Sequence, residues 1–92
     1  MTLEQKRHVI TAIPGPASKA LQKRRTEVVS AGVGTMLPTF IEEAHGAILK
    51  DADGNQLIDM GSGIGVVTIG HTNEKLVAAV QEQVSKLTHT LF

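Results

Sequence analysis

Several residue types are scarce or missing in this chain of 92 residues: it has no cysteine, tryptophan or tyrosine, and two phenylalanines. The absence of cysteine excludes a disulfide scaffold and thiol chemistry, and it favours a reducing, cytoplasmic location. Aromatic side chains usually supply much of the buried area, so this core must be aliphatic. Nine glycines raise the entropy cost of folding. We therefore expect an incomplete piece whose apolar faces pack on protein outside it.

The chain also lacks a net charge, because nine acidic residues balance nine basic ones. This balance disfavours a dedicated nucleic-acid or membrane-surface module. No hydrophobic run approaches the ~20 residues of a membrane span, and the N-terminus has no apolar signal-peptide region. The basic cluster Lys23-Arg24-Arg25 is interpreted as a solvated helix face. We predict neither nucleic acid nor membrane as a partner.

The stretch Ala47–Val67 organises the chain as strand, tight turn, strand and glycine loop. Ala47–Lys50 is mostly apolar, and Asp51–Asn55 is rich in turn formers. An Asp-Gly pair between two apolar runs is a strong hairpin signal, because glycine takes positive φ at little steric cost. Gln56–Met60 then alternates as a half-buried strand does. The sequence therefore predicts an antiparallel hairpin that leads into a flexible loop.

The glycine loop carries one large apolar side chain. Gly61, Gly63 and Gly65 occupy every second position and alternate with Ser62 and Ile64. Such spacing lets the backbone approach a neighbouring chain or a ligand closely. Isoleucine is stiff at χ1, so its place inside this frame suggests that something packs on it.

A helix and an edge strand are predicted upstream of the hairpin. Apolar positions at helical spacing indicate a helix over Ala17–Ser30, with Gly32 and Gly34 ending it. The segment Ile41–Gly46 is interpreted as an edge strand beside the hairpin. Together with a second helix downstream, these elements predict an α+β fold.

The second helix is predicted over Asn73–Leu87. Thr72 or Asn73 can be the N-cap, and Glu74 lies in the first turn, where the helix dipole favours a carboxylate. His71, just before this start, is interpreted either as orienting a loop by hydrogen bonding or as simply exposed. Its outer face carries one i,i+4 ion pair, Glu82 with Lys86. Its inner face carries an apolar stripe at helical spacing: Leu76, Val77, Val80, Val84 and Leu87.

Most chemical motifs can be rejected on spacing. Asp51-x-Asp53-x-Asn55 begins like a calcium loop, but the sixth and twelfth positions are Gln56 and Ser62 instead of glycine and an acid. The glycines do not fit a dinucleotide fingerprint, and no phosphate loop occurs. No histidine pair shows metal-ligand spacing. The chain alone predicts no metal site and no catalytic residue.

Read together, the motifs resemble the N-terminal region of class III, pyridoxal-phosphate-dependent aminotransferases. The run DADGNQLIDMGSGIGVVTIGH and the following AAVQEQVSKLTHTLF carry the acidic-Gly turn, aliphatic-Asp pair, small-Gly loop and Gly-His of that family. Upstream, TAIPGPAS, Arg24-Arg25 and SAGVGTMLPTF are similar to bacterial 4-aminobutyrate aminotransferases. The resemblance covers Ile10–Phe92. One departure is Asn73-Glu74, where many relatives have proline, which alters the first helical turn; another is that relatives run to several hundred residues.

The resemblance implies a fold-type-I enzyme that moves an amino group from 4-aminobutyrate, or a similar ω-amino acid, to 2-oxoglutarate. Residues 1–16 would be an N-terminal arm, and residues 17–92 the N-terminal portion of the small domain. Pyridoxal 5'-phosphate would be held by a lysine, and none of the six lysines here matches the family's position for it. The segment alone is therefore predicted inactive, and the complete enzyme a homodimer or a higher oligomer.

The resemblance also implies a substrate-binding role for the glycine loop. Ile64 would line the substrate pocket, and Ser62, Gly63 and Gly65 would shape the loop. The alternative is that Ile64 simply belongs to the core. For the whole chain, one alternative is a sibling class III enzyme acting on ornithine, acetylornithine or diaminobutyrate. The other is a non-catalytic small interaction module.

Overall fold

The computed structural model describes residues 3–91 as a small α+β unit, which confirms the predicted fold class. Three strands form one antiparallel sheet in the order β1-β2-β3. One helix precedes the sheet, and a short turn and a second long helix follow it. The elements are α1 (Pro16–Val28), β1 (Ile41–His45), β2 (Ile48–Asp51), β3 (Gln56–Ile58), α2 (Ser62–Gly65) and α3 (Glu74–Val84).

The sheet follows the predicted hairpin, with β2 as its central strand. Ile41 pairs with Asp51 and His45 with Ile48, with an irregularity near the start of β1. Ile48 in turn pairs with Ile58 of β3. Because β2 is the central strand, Ile48 is 2% exposed and is the one large apolar residue that is buried among residues 3–91.

The third strand is shorter than predicted. It ends at Ile58 instead of Met60, because the Asp59 side chain turns the backbone. The Asp59 Oδ1 atom accepts hydrogen bonds from the backbone N–H groups of Gly61 and Ser62, at 3.0 and 2.8 Å. An aspartate that bonds the backbone two residues on competes with strand pairing in this way.

The Asp51–Asn55 turn is a buried polar centre. The Asp51 Oδ1 atom accepts from the backbone N–H groups of Asp53 and Asn55, both at 2.9 Å. Its Oδ2 atom accepts from Asn55 Nδ2 at 2.9 Å and from the Thr39 hydroxyl at 3.1 Å. Both Asp51 and Asn55 are fully buried. The predicted turn is confirmed, and the carboxylate that a calcium loop would use is occupied by the protein's own donors.

The first helix begins at this turn. The Asp53 carboxylate accepts from the backbone N–H groups of Ala17 and Ser18, at 2.7 and 3.1 Å, and so caps α1 from a distant part of the chain. Gly15 allows this approach, because a Cβ atom there would overlap the Asp53 side chain. The cap therefore joins the helix to the hairpin.

The predicted end of α1 at Ser30 is wrong by two residues. The helix ends at Val28, and Val29 is extended with φ −108° and ψ 134°. A β-branched residue loses side-chain freedom in a helix and favours extended backbone. The Arg25 guanidinium also donates to the Val33 carbonyl and draws the following segment back. The glycines at positions 32 and 34 thus lie beyond the end and do not terminate the helix.

An extended arm over residues 3–15 runs beside β3. The backbones of His8 and Gln56 exchange two hydrogen bonds, at 2.9 and 2.7 Å. The Asn55 Oδ1 atom accepts from the backbone N–H groups of Ile10 and Thr11, at 2.7 and 2.9 Å. The division into an arm of residues 1–16 and a remainder of residues 17–92 stays a prediction.

The last helix begins as predicted. The Asn73 side chain accepts from the backbone N–H groups of Lys75 and Leu76, at 3.1 and 3.3 Å, and Glu74 lies in the first turn. The predicted end at Leu87 is three residues late. The helix ends at Val84, because the chain tightens into a turn there, with the Ser85 hydroxyl bonded to the Glu82 carbonyl at 2.6 Å.

Much apolar surface remains exposed across the described part of the chain. The predicted apolar stripe, four positions of α3 and Leu87 just beyond its end, is 38–56% exposed at every position. The radius of gyration is 15.7 Å, against ~12 Å expected for a compact domain of this length. Among residues 3–91, none of the helices combines the length and the apolar character that a membrane crossing requires.

Candidate active-site wall

An open cleft of about 680 Å³ lies between the sheet and the loop that follows it. Its walls come from β1, from the inner part of the hairpin and from the α2 turn. Its lining is mainly aliphatic, and its charged and polar groups lie on β1 and beside the turn. The lining residues are Met36, Leu37, Ile41, Glu42, Glu43, Ala44, Leu49, Ile58, Asp59, Met60, Gly61, Gly63, Ile64 and His71.

The α2 turn is left-handed along its whole length. Ser62, Gly63, Ile64 and Gly65 have φ values of 52°, 60°, 61° and 78°. The Ser62 carbonyl closes the turn by accepting from the Val66 N–H at 2.7 Å. Glycine adopts this conformation freely, whereas other residues are strained there by ~1–2 kcal/mol each. The glycine spacing predicted a permissive loop, but it did not predict that Ser62 and Ile64 would share the strained conformation.

Asp59 and His71 hold the entrance of this turn. While Asp59 Oδ1 accepts from the N–H groups of Gly61 and Ser62, its Oδ2 atom lies 2.6 Å from His71 Nε2. The backbone of His71 exchanges two hydrogen bonds with Gly46, at 3.0 and 2.9 Å, at the corner between β1 and β2. The prediction that His71 orients a loop by hydrogen bonding is confirmed.

The charge state of the pair follows from its geometry. The hydrogen bond from His71 is the main cause that lowers the pKa of Asp59 below 3.8, and the Ser62 and Gly61 N–H groups lower it further against the opposing effect of burial. Asp59 is therefore ionised at neutral pH and acts only as an acceptor, so His71 Nε2 carries a proton. The contact is a charge-assisted hydrogen bond, a class that is shorter and stronger than neutral bonds.

The residue after His71 is also anchored to the sheet. The Thr72 hydroxyl donates to the Ala44 carbonyl at 2.9 Å and accepts from His45 Nδ1 at 2.9 Å. Gly70 packs against Gly46, and a Cβ atom added at Gly70 would lie 3.3 Å from the Gly46 backbone. The segment that carries His71 is thus fixed on the sheet on both sides.

The structure separates the four predicted site residues into two pairs. Ile64 and Gly63 line the cleft, whereas Ser62 and Gly65 form the ends of the turn and do not line it. The Ile64 side chain is 83% exposed, so it contributes nothing to the core formed by the described residues. Its contact with substrate stays a prediction.

Sequence reasoning missed two features of the cleft. Met60 lines it and is 89% exposed, although the alternation alone placed it in a strand. The pairing of Asp59 with His71 was also missed. An aspartate two residues before Gly61 is a local turn signal. Its partner His71 lies 12 residues further on, and no local sequence pattern indicates that the two side chains meet.

The cleft does not have the lining that a site for pyridoxal phosphate, the cofactor that the family resemblance implies, would need. Such a site needs a lysine and donors for a phosphate group. Neither a lysine nor an arginine lines the cleft. Every buried side-chain nitrogen and oxygen among residues 3–91 has a hydrogen-bond partner, so none awaits a ligand. The N-terminus of α1, a natural anion site, is occupied by Asp53. The same residues contain no group of three or more metal-ligating side chains.

Known proteins share this sequence over nearly its whole length. Residues 28–92 match the family described as aminotransferase class-III. The chain is 54% identical over 91 residues to the 4-aminobutyrate aminotransferase of Mycobacterium tuberculosis, which covers 99% of this chain and 20% of that protein. It is 43% identical over 75 residues to the 5-aminovalerate aminotransferase DavT of Pseudomonas putida, covering 82% of this chain and 18% of that protein.

The fold is shared as well. The acetylornithine aminotransferase of Elizabethkingia anophelis superposes with a TM-score of 0.73 at 25% identity, over 83% of this chain and 19% of that one. The chain thus spans about one fifth of the length of the relatives it matches. The family match over residues 28–92 and these likenesses confirm the predicted family: the chain belongs to the class-III aminotransferases.

Proposed function

We propose that this chain is the N-terminal segment of an aminotransferase that transfers the amino group of 4-aminobutyrate, or a similar ω-amino acid, to 2-oxoglutarate. The observation that carries this proposal is the 54% identity to a mycobacterial 4-aminobutyrate aminotransferase over 91 residues. The complete enzyme would use pyridoxal phosphate, act in the cytoplasm and form at least a homodimer. Its catalytic lysine and its cofactor-binding residues would lie outside these 92 residues.

Within that enzyme, the segment would supply an apolar wall of the substrate site. The α2 turn presents Ile64 at the edge of an aliphatic cleft, and Met60 lies on the same cleft. Both side chains are more than four fifths exposed in this chain. Such a surface suits the methylene chain of a short ω-amino acid, because apolar area removed from water stabilises the complex. Ser62, Gly63 and Gly65 would shape the turn without forming the wall themselves.

The strongest alternative is a sibling enzyme with a longer amino donor. The 43% identity to a 5-aminovalerate aminotransferase favours this alternative over the other siblings. One additional methylene group changes the binding free energy by only ~0.8 kcal/mol when it is fully buried. A measurement of donor preference therefore has to distinguish the 4-aminobutyrate enzyme from this sibling. Membership of the aminotransferase family weighs against a free-standing interaction module.

A chimera tests the proposal. In it, these residues replace the aligned 91 residues of the M. tuberculosis 4-aminobutyrate aminotransferase, and the whole is prepared with its cofactor. We expect the ratio of kcat/KM for 4-aminobutyrate to that for 5-aminovalerate, with 2-oxoglutarate as acceptor, to stay within about threefold of the parent enzyme. A shift of about tenfold or more towards the longer donor would support the sibling enzyme instead.

The isolated 92 residues serve as the matched control. We expect them neither to transaminate nor to develop a cofactor absorbance band that borohydride traps on one of the six lysines. Trapping at a single lysine in this chain would contradict the proposal that the catalytic lysine lies elsewhere. A folded but inactive chimera would favour the interaction module.

A further inference from the structure

The α2 turn is a strained element that its surroundings must hold in place. Ser62 and Ile64 both have positive φ, at 52° and 61°, in a left-handed turn of four residues. Local strain of this kind persists only where neighbouring structure imposes it, and it clusters at functional sites. The turn has no apolar packing of its own to do so, because Ile64 and Val66 are 83% and 76% exposed.

What imposes the conformation is a chain of contacts that starts at the sheet. The corner residue Gly46 holds the backbone of His71 through two hydrogen bonds. The His71 ring bonds the Asp59 carboxylate at 2.6 Å, and this carboxylate bonds the N–H groups of Gly61 and Ser62. The two side chains are 21% and 11% exposed, so they are well shielded from water. Movement of the ring would therefore be passed to the entrance of the turn.

We propose that Asp59 and His71 are positioning residues, which set the place of Ile64 against the amino donor through the α2 turn. The proposal rests on the proposed function, in which Ile64 contacts that donor. Its structural basis is location. Both side chains line the same cleft as Ile64, and neither takes part in the hydrogen bonds of the buried Asp51 carboxylate.

The chimera holoenzyme allows a matched pair of substitutions at His71. Glutamine places an amide nitrogen close to where the histidine Nε2 atom lies and can still donate to Asp59, whereas asparagine is too short to reach. We expect His71→Asn to raise KM for 4-aminobutyrate about five- to tenfold with kcat within about twofold, and His71→Gln to recover most of this loss. Glu82→Gln is the control, because it removes an exposed carboxylate bonded to Lys86 at 2.7 Å on α3.

A double-mutant cycle then tests whether the effect passes through Ile64. Two substitutions that act through one contact are not additive. In an Ile64→Ala background, His71→Asn should therefore change KM by less than about twofold. Asp59→Asn keeps one acceptor for the turn but loses the charge-assisted hydrogen bond to His71, and it should raise KM in the same direction as His71→Asn does. It replaces His71→Asn in the cycle if that variant does not fold.

The outcomes separate this inference from the proposed function. If Ile64→Ala leaves KM unchanged, the donor contact itself is wrong, and the inference fails with it. If Ile64→Ala raises KM but His71→Asn has no effect, or has the same effect in both backgrounds, the inference alone is overturned. Equal losses of thermal stability in His71→Asn and His71→Gln, with no difference in KM, would show a purely structural pair.

Discussion

Replacing Ile64 with alanine is the most informative single perturbation. The substitution removes three carbon atoms from a side chain that is 83% exposed in this chain. In the complete enzyme, each would be worth ~0.8 kcal/mol if a substrate buried it fully. Partial burial against a small donor gives ~1–2 kcal/mol, or a loss of about 5- to 30-fold in kcat/KM for 4-aminobutyrate.

The same exposure predicts little effect on folding. A surface substitution away from special features usually changes the free energy of unfolding by less than about 0.5 kcal/mol. Alanine is also strained at a φ of 61°, but less than a β-branched residue is, so the change relieves part of the strain in the turn. Ile64→Ala should therefore lower kcat/KM in the chimera while its Tm does not fall and its cofactor content stays unchanged.

Ile69 provides a matched control for this measurement. It is 63% exposed, follows the same loop and does not line the cleft. Ile69→Ala should leave kcat/KM within about twofold of the unsubstituted chimera. Unchanged kinetics in Ile64→Ala together with a lower Tm would refute the reasoning, since that pattern means that Ile64 packs in a core.

Three further predictions concern stability. Ser62→Gly should stabilise the chimera by up to ~1 kcal/mol. Glycine removes the strain of a left-handed backbone at this position, and the conformational entropy that it loses on folding costs less than the strain. An unchanged or lower Tm would contradict this. Burial raises the pKa of Asp51, but hydrogen bonds from Asn55, Asp53 and Thr39 outweigh it and leave that pKa below 3.8. Its contribution to stability is thus complete above about pH 4 and is lost as the pH falls through the folded pKa. Asp51→Asn should cost at least ~2 kcal/mol near pH 7 and weaken this acid dependence in thermal melts, whereas parallel pH profiles would argue against it. The isolated chain should be partly disordered or self-associate, because the apolar stripe of α3 is exposed; a monodisperse monomer with a sharp two-state melt would show otherwise.

Local chemistry made much of the fold predictable. The Asp-Gly pair indicated the hairpin, and Asn73 with Glu74 indicated the start of α3, as the structure shows. These signals act within a few residues, where backbone preference and capping dominate. Helix ends were less predictable, because the ends of α1 and α3 depend on local hydrogen bonds that the apolar pattern does not encode.

Long-range contacts could not be read from the sequence. Asp53 caps α1 from 36 residues away, and His71 meets Asp59 only after the loop folds back on the sheet. The glycine frame indicated that something packs on Ile64, but only the family resemblance indicated a substrate pocket there. The left-handed conformation of that residue was not predictable, because β-branched side chains rarely adopt it.

A structure of the chimera holoenzyme with 4-aminobutyrate, or a non-reacting analogue of the same length, would test the central claim most directly. The measurement is the distance from the Ile64 side chain to the carbon chain of the bound donor. The account predicts carbon-to-carbon contacts within about 4.5 Å, the range of apolar contact, with the α2 turn left-handed. An Ile64 side chain covered by other parts of the enzyme and well beyond that distance from the donor would contradict it.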